Sequence, residues 1–194
     1  MLRWLLRLIG RDGSPSRPKP VAPPPAQPAT PLLPVTKLYP VTTRRTPNIS
    51  AGRTITPTHV ILHHTSGAYA GSVSWCLDPV SKVSYHCIIS RSGKRTVLAP
   101  PTARAWHAGV SQWQGRRDCN SYCLGLAWEG DTYTTPLSED AILSGIEYLL
   151  PILDQYDIPP SRIIRHADVA PTRKNDCSPA AQKEFLAALK RVLK

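Results

Sequence analysis

Two histidines and a carboxylate or thiolate have the residue types of a metal site. His63 ends the apolar run THVILHH, and His166 follows the run SRIIR. A short, turn-rich segment after His166 contains Lys174, Asp176 and Cys177. Two imidazoles with one carboxylate or thiolate leave a fourth coordination position open, which is the pattern of a catalytic zinc site. The sequence therefore predicts a zinc site in which either Asp176 or Cys177 is the third ligand.

The segment WHAGVSQWQGRRDCN, residues 106–120, concentrates aromatic and ionisable side chains in a loop punctuated by glycine. Neither a helical nor a strand period accounts for Trp106, His107, Trp113 and Asn120. Binding residues are disproportionately carried by loops that a rigid scaffold positions. The composition of this loop therefore predicts a ligand site.

The elements that must position these residues follow from hydrophobic patterns. Short apolar runs rich in β-branched residues predict strands in THVILHH, VSYHCIIS, RTVLAP, CLGLAWEG and SRIIR, the second and third joined as a hairpin. Apolar residues at helical spacing after Ser138, and the amphipathic segment PAAQKEFLAALKRVLK, predict two helices. We expect a single α/β domain over residues 58–194, with a central mixed β-sheet flanked by helices.

The N-terminal part has a different composition. Residues 1–34 form a basic, proline-rich tail, in which a short amphipathic segment, residues 1–10, precedes a spacer that builds no core. Arg3 and Arg7 interrupt the apolar run MLRWLLRLIG, which argues against a signal peptide and suits a helix at a membrane interface. Residues 35–57 are expected to form an arm or a linker.

The positive charge is concentrated in the same part of the chain. Residues 1–57 contain nine lysines and arginines and one aspartate, and so carry +8 of the net charge of +11. This distribution argues against nucleic-acid binding by the folded part. The tail is suited to a membrane surface or an anionic wall polymer.

Cysteine usage indicates a reducing compartment. The five cysteines are an odd number and have no framework spacing, although a bridge between Cys119 and Cys123 remains open. Without a signal peptide, we expect synthesis in the cytoplasm. We also expect a monomer.

Four strings together resemble the type 2 family of zinc-dependent N-acetylmuramoyl-L-alanine amidases. They are VSYHCIISRSGK, RAWHAGVSQWQGRRDCN, LGLAWEGD and RHADVAPTRKND, and the resemblance covers about residues 58–190. The family includes enzymes of wall recycling, phage lysozyme-amidases and peptidoglycan recognition proteins. The resemblance implies one Zn²⁺ ion and hydrolysis of the amide bond between N-acetylmuramic acid and L-alanine.

Metal ligands transfer from the family by position. His63 and His166 match the two metal histidines. The family has a lysine two residues before its third ligand, and Lys174 stands two residues before Asp176 without a gap. The resemblance therefore implies Asp176 as the third ligand, with Cys177 as the alternative.

The catalytic residues implied by the resemblance are Tyr85 and Lys174. Recycling amidases have a glutamate at the position of Ala127, whereas the phage branch uses a tyrosine before the histidine of the YH string, together with the lysine. This chain has Ala127 and Tyr85, and so combines the phage pair with a recycling-type loop. Asp168, two residues after His166, is either a hydrogen-bond acceptor for a ligand imidazole or a turn cap.

The resemblance also implies that residues 106–120 form a wall of the substrate groove. Sugar and stem peptide would be contacted by Trp106, His107, Arg116 and Asn120. Asp118 replaces the arginine that precedes CN in the recycling branch. Intact peptidoglycan thereby becomes as good a candidate substrate as an anhydro-muropeptide.

The principal alternative is a peptidoglycan-binding module that keeps the groove without catalysis. In that branch a metal ligand is typically missing, whereas His63, His166 and an Asp or Cys are all present here. We therefore expect an enzyme that acts on the cell wall. Both a phage endolysin and a bacterial wall enzyme are compatible with these motifs.

Overall fold

The computed structural model describes residues 38–194, and the predictions for the tail, residues 1–34, lie outside them. Within the described part, the strands are β1 Val41–Thr43, β2 Ile49–Thr54, β3 His59–His64, β4 Cys87–Ile89, β5 Arg95–Val97, β6 Ala103–Ala105, β7 Gln112–Trp113, β8 Arg116–Arg117, β9 Cys123–Trp128 and β10 Ile163–Arg165. The helices are α1 Tyr69–Leu77, α2 Glu139–Gln155, α3 His166–Val169 and α4 Pro179–Val192.

The central sheet is mixed, which confirms the predicted fold class. Its strand order is β1-β5-β4-β9-β3-β10. The pairs β4–β9, β9–β3 and β3–β10 are parallel, whereas β4 and β5 form the antiparallel hairpin predicted from the sequence. The carboxyl ends of β3, β9 and β10 therefore meet at one edge of the sheet.

The two faces of the sheet are covered differently. Alternate residues of β3, Val60 and Leu62, join the main hydrophobic core beneath α2 and α4. Ile61 packs on the opposite face with residues of the 106–123 region. By the two-residue period of a strand, His63 lies on the Ile61 face, away from the main core.

Both long helices begin where the sequence predicts them. Ser138 and Ser178 accept hydrogen bonds from the backbone N–H groups of Ala141 and Ala181, so each side chain caps a helix. Pro179 occupies the first turn of α4, where its missing N–H has no cost. No helix within residues 38–194 is long and apolar enough to cross a membrane.

The segment expected to be an arm or linker contributes two short strands. β1 pairs in parallel with β5 at the edge of the main sheet, and β2 pairs with β6 in a separate antiparallel ribbon. The five cysteines, Cys76, Cys87, Cys119, Cys123 and Cys177, are free and buried.

Candidate metal centre and groove

Parallel pairing brings the two predicted metal histidines together. Leu62 of β3 lies opposite Arg165 of β10, so the residues that follow them, His63 in β3 and His166 at the start of α3, reach the same edge. The two Nδ1 atoms are 3.1 Å apart. His63 and His166, about a hundred positions apart in the chain, thus lie close together because β3 and β10 are neighbours in the sheet.

Asp176 completes the cluster from the loop between α3 and α4. Its Oδ2 atom lies 3.0 Å from Nδ1 of His63 and 3.1 Å from Nδ1 of His166. The backbone of Asp176 is fixed because its carbonyl accepts a 2.7 Å hydrogen bond from the N–H of Ala167 in α3. His63, His166 and Asp176 are all buried and form a three-residue group suited to a metal ion.

The separation of the three donor atoms fits zinc. A tetrahedral zinc ion with ligand distances of about 2.0–2.1 Å separates its ligand atoms by about 3.3 Å. The distances of 3.0–3.1 Å lie within a few tenths of an ångström of that value. A set of two imidazoles and one carboxylate leaves a fourth tetrahedral position for water or substrate.

The protonation states also suit metal binding. Burial, together with the neighbouring His166, lowers the pKa of His63 to about 4, so the ring is neutral near pH 7. Burial acts to raise the pKa of Asp176, but hydrogen bonds with His166 and His63 outweigh it, and the pKa lies well below its usual range. A neutral imidazole and an ionised carboxylate are the forms that coordinate metal.

The side chain of Cys177, the alternative third ligand, lies in the main hydrophobic core rather than in the cluster. It is fully buried there with Phe185 of α4. Burial raises the pKa of the thiol to about 12, whereas coordination needs the thiolate. The geometry favours Asp176.

The structure relates both predicted catalytic residues, Tyr85 and Lys174, to His63. The rings of Tyr85 and His63 have centroids 5.0 Å apart and are inclined at 58°. Lys174 is exposed in the loop that carries Asp176, and its positive charge contributes to the lowered pKa of His63. Tyr85 is therefore in ring contact with the cluster, whereas Lys174 affects it electrostatically.

The structure shows what surrounds Ala127 and Asp168, the two positions whose roles the sequence left undecided. Ala127 of β9 pairs with His63 in register and packs in an apolar cluster that includes Tyr85. Asp168 accepts hydrogen bonds from the backbone N–H and the guanidinium of Arg165, so it caps α3. No carboxylate takes the place of the family glutamate at position 127.

The residues predicted to contact substrate divide into two groups. Trp106 is half-buried, and its indole N–H donates to Ser50. Arg116 is exposed and stacks over the ring of Tyr122 at 3.8 Å. Both lie at the surface of the 106–120 segment.

His107 and Asn120 lie deeper. Asn120 Oδ1 accepts from the backbone N–H groups of His107 and Ala108 at 3.1 and 2.8 Å. The His107 ring nitrogens lie 3.1 Å from Nε2 of His63 and 3.1 Å from the carbonyl of Cys123. Burial and the neighbouring histidines hold the pKa of His107 well below its usual range.

An open groove of about 800 Å³ runs beside the 106–120 segment. Its lining includes Arg104, Trp106 and Asp118 together with Val169 and Pro171. Arg104 forms a 2.6 Å ion pair with Asp118. The lining of the groove thus includes a paired arginine.

Sequence reasoning missed the residues that support the cluster. The ring of His107 lies against Gly125 of β9, where a Cβ atom would approach its Cγ to 2.6 Å. The carbonyl of Ala108 lies 3.2 Å from Nε2 of His166. An isolated glycine within a strand is a sequence signal for such a close approach, whereas a backbone carbonyl gives no signal.

A mixed sheet with two histidines and a carboxylate at one edge defines an α/β protein with a candidate metal site. The model of the family described as N-acetylmuramoyl-L-alanine amidase matches residues 53–179, and the chain belongs to this family. It is an enzyme of that type rather than a non-catalytic recognition module.

The relatives agree with this assignment. The 1,6-anhydro-N-acetylmuramyl-L-alanine amidase AmpD of Escherichia coli K12 is 34% identical over 144 residues, which cover 64% of this chain and 78% of AmpD. The N-acetylmuramoyl-L-alanine amidase AmiD of the same organism is 30% identical over 135 residues, covering 62% of this chain and 48% of AmiD.

Solved structures share the fold. A selenomethionine AmpD derivative superposes with a TM-score of 0.66 and 25% identity, over 81% of this chain and 98% of that one. E. coli AmiD, solved with the substrate anhydro-N-acetylmuramic acid-L-Ala-D-γ-Glu-L-Lys, gives a TM-score of 0.62 and 24% identity, over 73% of this chain and 60% of that one.

Proposed function

We propose that this amidase hydrolyses the bond between the lactyl group of N-acetylmuramic acid and L-alanine by means of one zinc ion. The observation that carries the proposal is the convergence of His63, His166 and Asp176 within 3.0–3.1 Å of one another on an amidase fold. When bound there, zinc supplies a Lewis acid for the amide carbonyl and acidifies water.

Lys174 stabilises the negative charge that develops on the amide oxygen. Its ammonium is carried by the same loop as Asp176, and its charge contributes to the lowered pKa of His63. A single oxyanion donor contributes about 2.7–4 kcal/mol to transition-state stabilisation. The proposed role requires the exposed Lys174 side chain to bring its ammonium to the amide oxygen.

Tyr85 acts as a hydrogen-bond donor. Burial raises the pKa of its hydroxyl, which therefore stays protonated at neutral pH. The ring contact with His63 supports a position for Tyr85 next to the proposed metal ion. Tyr85 orients water or the amide oxygen rather than accepting a proton.

Position 127 does not supply the general base. Ala127 faces the same side of the sheet as His63 and is surrounded by apolar side chains. A carboxylate at this position would be buried among them at a high desolvation cost. This chain therefore follows the phage-type arrangement, with Tyr85 and Lys174 beside the cluster.

The groove accepts the glycan and the stem peptide. Trp106, in the lining of the groove, offers an aromatic surface for a sugar ring, and Arg116, exposed on the same segment, offers a cation for a stem-peptide carboxylate. Asp118 stands where recycling enzymes have an arginine and is held by Arg104. Because the groove has no arginine at position 118 for the anhydro sugar, we propose that intact peptidoglycan is cleaved as well as anhydro-muropeptide.

The basic tail, residues 1–34, brings the enzyme to a membrane surface or an anionic wall polymer. This proposal rests on its charge and on the amphipathic run MLRWLLRLIG. The enzyme acts as a monomer in cell-wall degradation. Sedimentation with anionic vesicles and with purified wall, compared between the full chain and a chain lacking residues 1–34, tests the role of the tail.

The activity is tested with purified muropeptides analysed by mass spectrometry. One substrate ends in anhydro-N-acetylmuramic acid and the other in its reducing form, with the same stem peptide. We expect both to yield a free L-alanine amino terminus, with kcat/KM values within about tenfold. Cleavage of neither, at full zinc occupancy, contradicts the proposed activity, and cleavage of the anhydro form alone contradicts the proposed substrate range.

A further inference from the structure

The dipeptide His107–Ala108 lies between the two imidazoles of the metal cluster. The ring of His107 contacts Nε2 of His63, and the carbonyl of Ala108 contacts Nε2 of His166. These are the ring nitrogens that do not face Asp176. We propose that His107 is a positioning residue of the metal centre, which together with the Ala108 carbonyl fixes the tautomer and orientation of both ligand histidines.

The hydrogen bonds determine the tautomer of His63. The Cys123 carbonyl can only accept, so Nε2 of His107, 3.1 Å away, carries a proton and donates. In a neutral ring, Nδ1 of His107 is then an acceptor, and Nε2 of His63 donates to it across 3.1 Å. Nδ1 of His63 is left with a lone pair, and it is this atom that faces His166 and Asp176.

The same logic applies to His166. Its Nε2 lies 3.2 Å from the Ala108 carbonyl and must donate, which leaves the Nδ1 lone pair directed at Asp176. Arg173 donates to the same carbonyl and holds it in place at 2.6 Å. Asn120 fixes the dipeptide itself by accepting both of its backbone N–H groups.

The fold makes room for the His107 ring. Gly125 lies in the middle of β9 with an ordinary backbone conformation, so a turn does not explain the glycine. A Cβ atom there would meet Cγ, Nδ1 and Cβ of His107 at 2.6, 2.8 and 3.0 Å. The absent side chain lets the imidazole lie on the strand at the depth that reaches His63.

A contact with substrate does not explain this arrangement. His107 is 6% exposed, and each of its ring nitrogens faces a protein atom. A sugar or peptide in the groove would need a ring nitrogen that is free to meet it. Hydrogen bonding to a ligand imidazole fixes its orientation and raises its basicity toward the metal.

The test is zinc affinity, measured by competition with a chromophoric chelator. In His107→Gln the amide lies near the position of Nε2, so the contact with Cys123 is kept and the acceptor for His63 is lost. In His107→Asn the amide oxygen lies near the position of Nδ1, and the acceptor for His63 is kept. We expect the Gln variant to bind zinc about 10–100-fold more weakly than the wild type, and the Asn variant to lose less than about tenfold.

A second variant covers the case in which His107→Gln does not fold. Asn120→Ala leaves the His107 ring present and removes the acceptor that holds its backbone, and we expect its zinc affinity to fall in the same direction. Folding is checked by the urea transition of each metal-free variant. Wild-type zinc affinity in the folded variants overturns the inference, and a raised KM at unchanged zinc affinity assigns His107 to substrate binding.

The inference rests on the proposed zinc site but not on catalysis. A wild-type chain that binds zinc tightly and cleaves no amide contradicts the proposed function and leaves the effect of His107 measurable. A wild-type chain that cleaves, with variants of unaltered zinc affinity, contradicts this inference alone.

Discussion

His63 and His166 direct the same kind of atom, Nδ1, at Asp176 because the other nitrogen of each ring is engaged with the protein. The sequence predicted these three residues as ligands but kept Cys177 as an alternative to Asp176, because hydrophobic periodicity cannot distinguish two adjacent residues in a loop. Burial of Cys177 in the core favours Asp176, and the assignment remains a prediction that mutation can test.

The first prediction separates the two candidates for the third ligand. Asp176→Ala removes one of three converging donors, and we expect zinc affinity to fall more than about 100-fold, beyond the effect of an outer-shell partner. Cys177→Ser keeps the shape of the buried side chain and should bind zinc as the wild type does. The measurement is chelator competition, and the reverse order of effects would assign the site to Cys177.

The second prediction concerns Lys174. Lys174→Ala is expected to lower kcat by about 10²–10³ while zinc affinity and KM change little, because the ammonium acts on charge present only in the transition state. Lys183→Ala, at an exposed position of α4, is the matched control. Steady-state kinetics on a purified muropeptide measure both, and equal rates for the two variants exclude the role of Lys174.

Among the elements, β3, β9 and β10 matter most because their parallel carboxyl ends form the edge that carries the site. Apolar runs predicted all three, Ser138 predicted the start of α2, and the amphipathic segment PAAQKEFLAALKRVLK predicted α4. The helix α1, Tyr69–Leu77, was missed because it lacks a regular apolar stripe and a side-chain cap. The sequence did not predict that His107 and Asn120 are buried, because their partners lie on distant segments or are backbone groups.

The third prediction tests how closely β9 fits this segment. Gly125→Ala places a methyl group 2.6 Å from the His107 ring, and overpacking of this kind costs about 1–3 kcal/mol. Gly71→Ala in α1 is the matched control, since nothing lies within 4 Å of the added Cβ, and a gain of about 0.5–1 kcal/mol is expected. Urea unfolding measures both, and an unchanged stability in Gly125→Ala contradicts the close contact.

At the scale of the whole molecule, the sequence separates a basic tail from a domain of modest charge, whereas the clustering of buried histidines emerges only in three dimensions. His63, His86 and His107 come from three segments and are all buried. His86 accepts from the Gly125 N–H and lies 3.0 Å from the Ala103 carbonyl, so it stabilises the strands behind the site. The spacing of these histidines in the sequence does not predict that they lie close together in the fold.

The fourth prediction is acid sensitivity of the metal-free protein. Burial lowers the pKa of His63 and of His86 to about 4, so the unfolded chain, with ordinary histidines near 6.5, binds more protons between these values. Stability is therefore fully present above about pH 6.5 and is lost as the pH falls toward 4, by a few kcal/mol, on the order of 1.4 kcal/mol per pKa unit. Urea midpoints at pH 7, 6 and 5 measure the loss, and a constant midpoint contradicts burial of neutral histidines.

The central claim is that one zinc ion held by His63, His166 and Asp176 makes this chain an amidase. Its most direct test is the titration of metal-free protein with zinc while cleavage of the muramyl–L-alanine bond is followed. The account predicts no cleavage without metal, recovery that rises linearly and ends at about one zinc per chain, and no recovery in Asp176→Ala at the same zinc concentrations. Full cleavage by metal-free protein, or wild-type recovery by Asp176→Ala, would contradict it.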